Sequence, residues 1–427
     1  MRFWKTAAVV VAGALLAGCG PPQVDQGASG EDKSTGTLRV WLFDEANRDP
    51  KEEVVNAAVR EFEGEHEDVT VDVRYIAVDT RSERFTGAFN DPSSAPDVAE
   101  FGNTDLASYV AAGGLAELDT MLGNWPAAQD LSESVLETAR TDGKTYGVPW
   151  FTGVRALYYR TDVFEELDLD PPRTLGEIAE KARRVRAARP DMYGIATGGK
   201  YTYAMMPFIW AHGGELARGE GATWESAVDE PAARAGIEAY TELLEPDVCP
   251  PEQCAQLTGT ESVQAFAGGK AAMTIGGDFN RAAVDAGAAG DHYDVVPLPG
   301  TEPGEIAPAF AGGNLLGVLR SSDRSSLAKE FIRVLAGKKY QRDMYEAMGY
   351  LPTFEDVQNQ VSSEDPTVRP FVETLQAGTR FVPATPAWSE IDAQEILPTM
   401  VQRIVTEGEL GPATAEAARR MNDTFRE

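Results

Sequence analysis

Carboxylate side chains follow two of the predicted strands of this chain. Asp44 comes directly after an apolar run at residues 38–43, and Asp278 comes soon after another at residues 271–275. Open α/β sheets bind their ligands in the loops at the carboxyl ends of strands, so both aspartates are placed to accept hydrogen bonds from ligand hydroxyls. Helix capping is the alternative for each, because a predicted helix follows in both places.

Further polar and aromatic candidates lie at comparable positions. Asn103 and Asp105 end a short strand, where Asp105 is also suited to cap the next helix and Asn103 is preferred as a ligand contact. Trp150 and Phe151 are adjacent candidates for the floor of a cleft, with the core as the alternative. Arg155, which has no ion-pair partner at helical spacing, and Asn314, which ends a Gly-rich run, are candidates for hydrogen bonds to a ligand. Aromatic rings stack on the apolar C–H faces of a pyranose, and its hydroxyls bond to planar polar groups, so this combination favours a sugar ligand.

The chain lacks the residue spacings that catalysis or metal binding requires. The histidines His66, His212 and His292 are scattered, and none belongs to an HExxH motif or another metal-ligand spacing. GxSxG and P-loop motifs are absent. A glycosidase needs two carboxylates across a cleft, but the sequence isolates no such pair. We therefore predict that the protein is not an enzyme and holds no metal or cofactor.

Alternating elements must position these residues. Strand patterns at residues 38–43, 69–76 and 97–101 alternate with helical patterns at 50–62, 81–89 and 106–112. This alternation predicts βα units on a largely parallel sheet. Later in the chain, we expect extended segments and helices at residues 146–151, 156–160, 174–188, 203–210, 232–244, 261–268, 271–275, 309–319, 325–335, 339–347, 388–406 and 412–425.

The length and charge of the chain limit its organisation and its partners. One hydrophobic core rarely grows to serve a chain of 427 residues, so two lobes are expected. The formal net charge of −30 argues against nucleic acid and against anionic ligands, which would be repelled over a long range. It is compatible with neutral or cationic ligands, and it also serves to keep an extracellular protein soluble.

The N-terminal residues carry processing information. Arg2 and Lys5 precede an apolar stretch at residues 7–17 that is too short to span a membrane but suits a signal peptide. The stretch closes on Leu16-Ala17-Gly18-Cys19, which resembles the bacterial lipobox and implies cleavage after residue 18 and lipid attachment at Cys19. An ordinary secretory signal is the alternative. Residues 19–36 have almost nothing to bury and are interpreted as a flexible tether.

The other two cysteines are close in sequence. Cys249 and Cys254 enclose a short Pro-rich loop without a CxxC spacing and without a nearby histidine. Disulfides persist in oxidising compartments, so we expect a local structural disulfide rather than a redox or metal site.

Several segments, in order along the chain, resemble the family of extracellular solute-binding proteins that includes the maltose-binding protein. They are Ala99-Glu-Phe-Gly-Asn-Thr-Asp105, residues 109–115, Tyr146-Gly-Val-Pro-Trp150, residues 156–160, Phe266-Ala-Gly-Gly-Lys270, residues 271–277 and Phe310-Ala-Gly-Gly-Asn314. The resemblance implies a type II periplasmic-binding-protein-like α/β fold, with a ligand cleft between two lobes joined by three crossovers. It places the first lobe at residues 37–154 and 311–365 and the second at 155–310 and 366–427.

The resemblance also implies residues and partners. It places stacking aromatic rings at Tyr201 or Tyr203, at Phe279, where the family commonly has Trp, and at Trp388, the first choice among all candidates. The implied function is a monomeric, lipid-anchored receptor on the extracellular face of the membrane. It would deliver an oligosaccharide of the maltodextrin, trehalose or chitobiose type to the permease of an ABC transporter. A receptor for a polyamine or peptide, or a surface glycoside hydrolase, is the alternative.

Overall fold

The computed structural model describes residues 32–45, 48–221 and 223–426. The predicted signal peptide, the lipidation site at Cys19 and most of the predicted tether lie outside these residues. Within the described ranges, no helix is both long enough and apolar enough to cross a membrane. The same ranges contain no group of three or more His, Cys, Asp or Glu side chains that is arranged to hold a metal ion.

Fourteen strands are present in the described residues. In chain order they are β1 (Gly36–Phe43), β2 (Val69–Ile76), β3 (Val98–Gly102), β4 (Arg140–Thr141), β5 (Lys144–Thr145), β6 (Val148–Gly153), β7 (Arg155–Arg160), β8 (Ala217–Glu220), β9 (Thr223–Ser226), β10 (Met273–Gly277), β11 (Tyr293–Val296), β12 (Ala309–Phe310), β13 (Gly312–Val318) and β14 (Thr379–Arg380).

Nineteen α-helices surround these strands in the described part of the chain. They are α1 (Asp49–Glu65), α2 (Arg81–Asn90), α3 (Leu106–Ala111), α4 (Asp119–Gly123), α5 (Glu133–Glu137), α6 (Thr161–Glu166), α7 (Leu175–Ala188), α8 (Thr202–Ala211), α9 (Pro231–Thr241), α10 (Pro251–Cys254), α11 (Gly259–Ala267), α12 (Arg281–Asp285), α13 (Ser325–Leu335), α14 (Lys338–Met348), α15 (Glu355–Glu364), α16 (Arg369–Ala377), α17 (Ala387–Ala393), α18 (Ile396–Glu407) and α19 (Leu410–Thr424).

A five-stranded sheet with the order β2-β1-β3-β13-β6 organises the first part of the molecule. Strands β1, β2 and β3 are parallel, as the βα alternation predicts. Strand β13 returns from far along the chain and runs antiparallel to both β3 and β6. Leu38, Val40 and Leu42 of β1 alternate into a core that also buries Val55 and Phe62 of α1. The carboxyl ends of β1 and β3 therefore lie side by side.

The second sheet is antiparallel, and no strand direction was predicted for its segments from the sequence. Its order is β10-β7-β11, and both outer strands run antiparallel to β7. The chain enters this sheet directly from β6, since Val154 alone separates β6 from β7. A turn of one residue leaves no room for the helix that usually connects two parallel strands. The helical periodicity elsewhere in the sequence does not indicate the direction in which the strands of this sheet run. The predicted strand at 309–319 is also divided, because Ala311 separates β12 from β13.

The long helix predicted at residues 388–406 is wrong. Two helices, α17 and α18, occupy this stretch, and Glu395 between them has a left-handed φ of 49°. A left-handed residue cannot continue an α-helix, so the chain changes direction there. Nearby, α19 packs against α18 as the last helix.

Cys249 and Cys254 lie just before and within the short helix α10. Both are fully buried in the same hydrophobic cluster as Tyr240 and Val248. Their Cα atoms are 5.9 Å apart, which is within the range that a disulfide bridges.

Candidate ligand-binding site

A cavity of about 830 Å³ lies where β6 of the five-stranded sheet continues into β7 of the three-stranded sheet. Both sheets contribute to its wall. Of the residues predicted from the sequence, it brings together Arg155, Asp278, Phe279 and Asn314. A volume of this size is typical of a small-molecule site. Its wall also includes Phe151, which was considered together with Trp150, and residues that the sequence did not single out for binding, namely Glu45, Arg281, Phe310, Tyr345, Tyr350 and Asp365.

Phe279 presents an aromatic surface to the cavity. Its side chain is 44% exposed, although a phenylalanine is ordinarily buried. The ring lies against Gly277 and Gly153, where an added Cβ atom would come within 2.2 Å and 3.3 Å of ring carbons. The absence of side chains at these two glycines therefore gives the ring its place. An accessible ring face of this kind suits stacking against the C–H face of a sugar.

Arg155 is held by aromatic rings rather than by an acid. Its Nε donates a hydrogen bond of 3.0 Å to the hydroxyl of Tyr201. The guanidinium carbon lies 5.2 to 5.9 Å from the ring centres of Tyr201, Tyr203, Phe279 and Phe310. Among the described residues, no carboxylate forms an ion pair with it within 4 Å. The guanidinium therefore keeps donors for a ligand in the cavity.

Another part of the cavity wall is formed by a pair of stacked aromatic rings that are far apart in the sequence. Phe151 of β6 stacks on Tyr350, with ring centres 4.3 Å apart. Of the two adjacent candidates, Phe151 borders the cavity, whereas the side chain of Trp150 is fully buried in the core beside β1. Successive side chains of a strand point to opposite faces, so a cavity on one face of β6 receives Phe151 and not Trp150.

A buried ion pair is connected to two residues of the cavity wall, Glu45 and Asn314. Lys51 and Glu100 are both fully buried, with Nζ and Oε2 3.0 Å apart. Lys51 also donates to the carbonyl of Phe43 and pairs with Glu45 at 3.2 Å. Glu100 in turn accepts a hydrogen bond of 2.6 Å from the side-chain amide of Asn314. The network thus fixes two residues that face the cavity.

Lys51 was not predicted to be buried beside the site, although its spacing from the apolar residues of α1 indicates burial. Lys51 precedes Val54, Val55, Ala58 and Phe62 at helical spacing, so it occupies the buried face of α1. A lysine at such a position requires a partner, because an unpaired buried charge is costly. The partner Glu100 lies within the segment quoted for its family resemblance.

Asp44 lies outside the cavity, and its neighbour Glu45 borders it instead. Asp44 is exposed and pairs with Arg48 at 3.4 Å, four residues on, whereas Glu45 faces the cavity. The side chain of Asp44 makes no helix-capping hydrogen bond either. The direction of a loop side chain depends on contacts that no local pattern encodes.

Asn103 and Asp105 do not reach the cavity. Asn103 is buried and donates through its amide to the carbonyl of Ala311, at 2.9 Å, where β12 joins β13. Asp105 forms an ion pair of 2.8 Å with Arg81, and its side chain does not cap α3. Both side chains therefore stabilise the arrangement beside the cavity.

The remaining predicted aromatic residues are also packed away from the cavity. Tyr203 stacks on Phe310 with ring centres 4.7 Å apart, and burial raises the pKa of its hydroxyl to about 12. Tyr201 is buried but reaches Arg155 through its hydroxyl. Trp388 is only 2% exposed and belongs to the core around the second sheet. Tyr203 and Tyr201 thus contact two residues of the cavity wall, Phe310 and Arg155.

An ionic cluster lies at another part of the cavity wall. Arg281 of α12 pairs with Asp365 at 3.1 Å, and the hydroxyl of Tyr345 donates to the same carboxylate at 3.0 Å. Although burial opposes it, hydrogen bonds from Thr367 and Tyr345 and the charge of Arg281 hold the pKa of Asp365 below its ordinary value. The cluster joins α12, α14 and the end of α15.

The sequence and the geometry now permit a family assignment. A profile of the bacterial extracellular solute-binding proteins matches residues 57–370, which is most of the chain. The chain belongs to this family. The predicted relationship is therefore confirmed.

Other solute-binding proteins align with nearly the whole chain. The diacetylchitobiose binding protein DasA of Streptomyces coelicolor is 26% identical over 433 aligned residues, covering 100% of this chain and 98% of DasA. The galactooligosaccharide-binding protein of Bacillus subtilis is 25% identical, covering 81% of this chain and 78% of that protein.

Solved structures confirm the predicted fold class. The sugar-binding protein MalE of Xanthomonas citri superimposes with a TM-score of 0.80 at 23% identity, covering 91% of this chain and 97% of MalE. At this level of identity the similarity establishes the fold, which is the two-lobe α/β fold of periplasmic binding proteins.

Proposed function

We propose that this solute-binding protein captures an oligosaccharide in the cavity between its sheets and delivers it to the permease of an ABC transporter. The observation that carries the proposal is the exposed ring of Phe279 beside the donors of Arg155, both facing one cavity. An aromatic face next to planar hydrogen-bonding groups matches the alternating apolar and hydroxylated surfaces of a sugar. The names of DasA and of the galactooligosaccharide-binding protein give independent support.

In the proposed mechanism of ligand capture, two lobes move towards each other and close around the ligand. We propose that residues 37–154 and 311–365 form one lobe and that residues 155–310 and 366–427 form the other. The single residues between β6 and β7 and between β12 and β13 support two of these boundaries. A ligand that contacts both lobes stabilises their closed arrangement, whereas one that contacts a single lobe does not.

The same proposal includes the setting of the protein. It acts as a monomeric binding protein without catalysis, on the extracellular face of the membrane, with a lipid on Cys19 and a disulfide between Cys249 and Cys254. Replacing Cys19 by Ala is expected to release the protein from the membrane, because a lipid anchor is the only attachment proposed. Fractionation of cells followed by immunoblotting measures this, and a Cys19→Ala protein that stays in the membrane fraction contradicts the anchor.

A ligand screen tests the function itself. We would follow the thermal unfolding of residues 36–427 in the presence of chito-oligosaccharides, malto-oligosaccharides, trehalose, galacto-oligosaccharides, peptides and polyamines. A ligand present at 100 times its Kd adds about 2.7 kcal/mol to the free energy of unfolding, which raises the midpoint measurably. Stabilisation by one sugar class supports the proposal. Stabilisation by a peptide or a polyamine alone contradicts the proposed ligand and leaves the family assignment intact.

Replacing Phe279 by Ala is expected to weaken binding of that sugar about tenfold, because the stacking surface is lost. The exposed ring contributes little to the core, so the midpoint of unfolding without ligand should change only slightly. Isothermal titration calorimetry gives the Kd, and Phe279→Trp is the matched control that retains an aromatic face. An unchanged Kd for Phe279→Ala would remove this ring from the proposed site.

A further inference from the structure

Asp278 holds the junction between the two sheets. Its side chain is 3% exposed, and Oδ1 accepts a hydrogen bond of 2.9 Å from the backbone N–H of Val154, the residue that separates β6 from β7. The backbone N–H of Asp278 in turn donates to the carbonyl of Val154 at 3.3 Å. Asp278 is therefore hydrogen-bonded to the residue through which the chain passes from one sheet to the other.

Oδ2 of Asp278 is buried and has no hydrogen-bond partner among the described residues. Buried polar atoms are rarely left in this condition, because the lost hydration costs free energy. Asp278 also belongs to the wall of the cavity, next to Phe279. Oδ2 is covered in the free protein, so a ligand in the cavity supplies the missing hydrogen bond once a rotation of the carboxyl or of the neighbouring Phe279 ring uncovers this oxygen.

The surroundings of Asp278 hold few compensating charges. Arg155 on β7 is the cation that favours its ionised form, while Tyr158 on β7 and Tyr350, which follows α14, face it with neutral hydroxyls. The backbone N–H of Val154 donates to the carboxylate, and the N–H of Leu351 favours its charge without forming a hydrogen bond. Burial outweighs these contributions and raises the pKa of Asp278 to about 7. The free protein thus holds a carboxyl that is largely protonated in mildly acidic solution.

We propose that Oδ2 of Asp278 accepts a hydrogen bond from a ligand hydroxyl, and that the carboxyl gives up its proton to the solvent as the ligand binds. This inference rests on the proposed function and adds to it a specific contact and a dependence on pH. No covalent bond changes: the carboxylic O–H dissociates, buffer takes the proton, and the ligand keeps its own hydroxyl proton while donating a hydrogen bond. Since the same carboxyl binds Val154, the contact also couples the ligand to the junction.

The direction in which ligand affinity changes with pH follows from the pKa of Asp278 in the free protein and in the complex. A hydrogen bond from the ligand stabilises the ionised carboxylate, so the pKa of Asp278 is lower in the complex than in the free protein. Protons are released between these two pKa values, and affinity therefore increases as the pH rises towards about 7, by at most tenfold for each pH unit. Above about pH 7 the affinity becomes constant. In the free protein the raised pKa has the opposite effect, and stability falls as the pH rises from about 4 through about 7.

Isothermal titration calorimetry with N,N′-diacetylchitobiose and with maltotriose tests the inference. Titrations at about pH 6 in two buffers with different ionisation enthalpies count the protons, and a series from about pH 5 to about pH 8 gives the affinity. For a sugar that binds, we expect release of nearly one proton at about pH 6 and almost none at about pH 8. Asp278→Asn should bind without releasing a proton and with an affinity independent of pH. Asp291→Asn, which removes an exposed carboxylate of the same region, should behave like the unaltered protein.

The outcomes separate the two proposals. Sugar binding without proton release, with an affinity that does not change between about pH 5 and about pH 8, overturns the role of Asp278 and leaves the sugar-receptor function standing. Proton release that persists in Asp278→Asn overturns it as well. Absence of binding by every sugar of the screen at all pH values contradicts the proposed function and, with it, the ligand contact. The measurements on the unaltered protein remain decisive if Asp278→Asn does not fold.

Discussion

Replacing Lys51 by Met is expected to lower the free energy of unfolding by about 3–5 kcal/mol, because the change leaves a buried carboxylate without its cation. Glu100 is fully buried and has Lys51 as its only ion-pair partner in the described part of the chain. Methionine has a similar length, so the loss arises from charge rather than from an empty space. Asn314 and the backbone N–H of Phe43 still donate to Glu100, but neither carries a charge.

Unfolding in urea, followed by circular dichroism, measures this loss. Lys144→Met is the matched control, since Lys144 pairs with Glu117 at the surface with about half of each side chain exposed, and its replacement should leave the midpoint unchanged. The double variant Lys51→Met, Glu100→Gln should recover much of the lost stability, because the unpaired charge is then gone. Equal midpoints for the unaltered protein and Lys51→Met would show that the buried pair does not stabilise the fold.

Replacing Trp388 by Ala is expected to destabilise the protein by about 3–5 kcal/mol, as is usual for the removal of a large buried ring. Trp388 is 2% exposed and packs in the same cluster as Ile391, Leu397 and Met400 of α17 and α18. Its indole nitrogen has no hydrogen-bond partner among the described residues, so the ring contributes through packing. The family resemblance had assigned this residue to sugar stacking.

Two measurements on one variant distinguish these roles. Denaturant unfolding without ligand gives the stability of Trp388→Ala, and calorimetry below its unfolding temperature gives the Kd of the sugar. Large destabilisation with a Kd within about threefold of the original value agrees with a core residue. An unchanged midpoint with binding at least tenfold weaker would instead return Trp388 to the ligand site. Trp388→Phe retains most of the buried volume and should lose less stability than Trp388→Ala.

The regular elements could be predicted because their signals are local. The alternation of residues 69–76 and the helical spacing of 325–335 give β2 and α13 with their observed bounds. One face of each element is buried, and a periodic run of apolar residues records that face directly. The break at Glu395 escaped prediction because a glutamate in a left-handed conformation has no sequence signal comparable to a glycine.

The candidate site could be predicted in part. Asp278 and Phe279 follow a strand, and Arg155 begins one at a junction between sheets, so their positions along the chain brought them to the cavity. Asp44 and Trp150 were chosen by the same kind of argument, and Trp388 through the family resemblance, but all three lie outside the cavity. A choice between adjacent residues, such as Trp150 and Phe151, depends on which face of a strand borders the cavity.

By itself, the sequence determined most strands and helices, because their signals are residue types at short, regular spacing. It also determined the family and the two-lobe α/β fold, through segments that resemble those of known solute-binding proteins. The tertiary structure decided which side chains share a cavity. It brought Phe151 onto Tyr350 and Lys51 onto Glu100 across long separations along the chain. Such pairs form where separately folded elements meet, and their direction and burial are set by the packing of the whole molecule rather than by neighbouring residues.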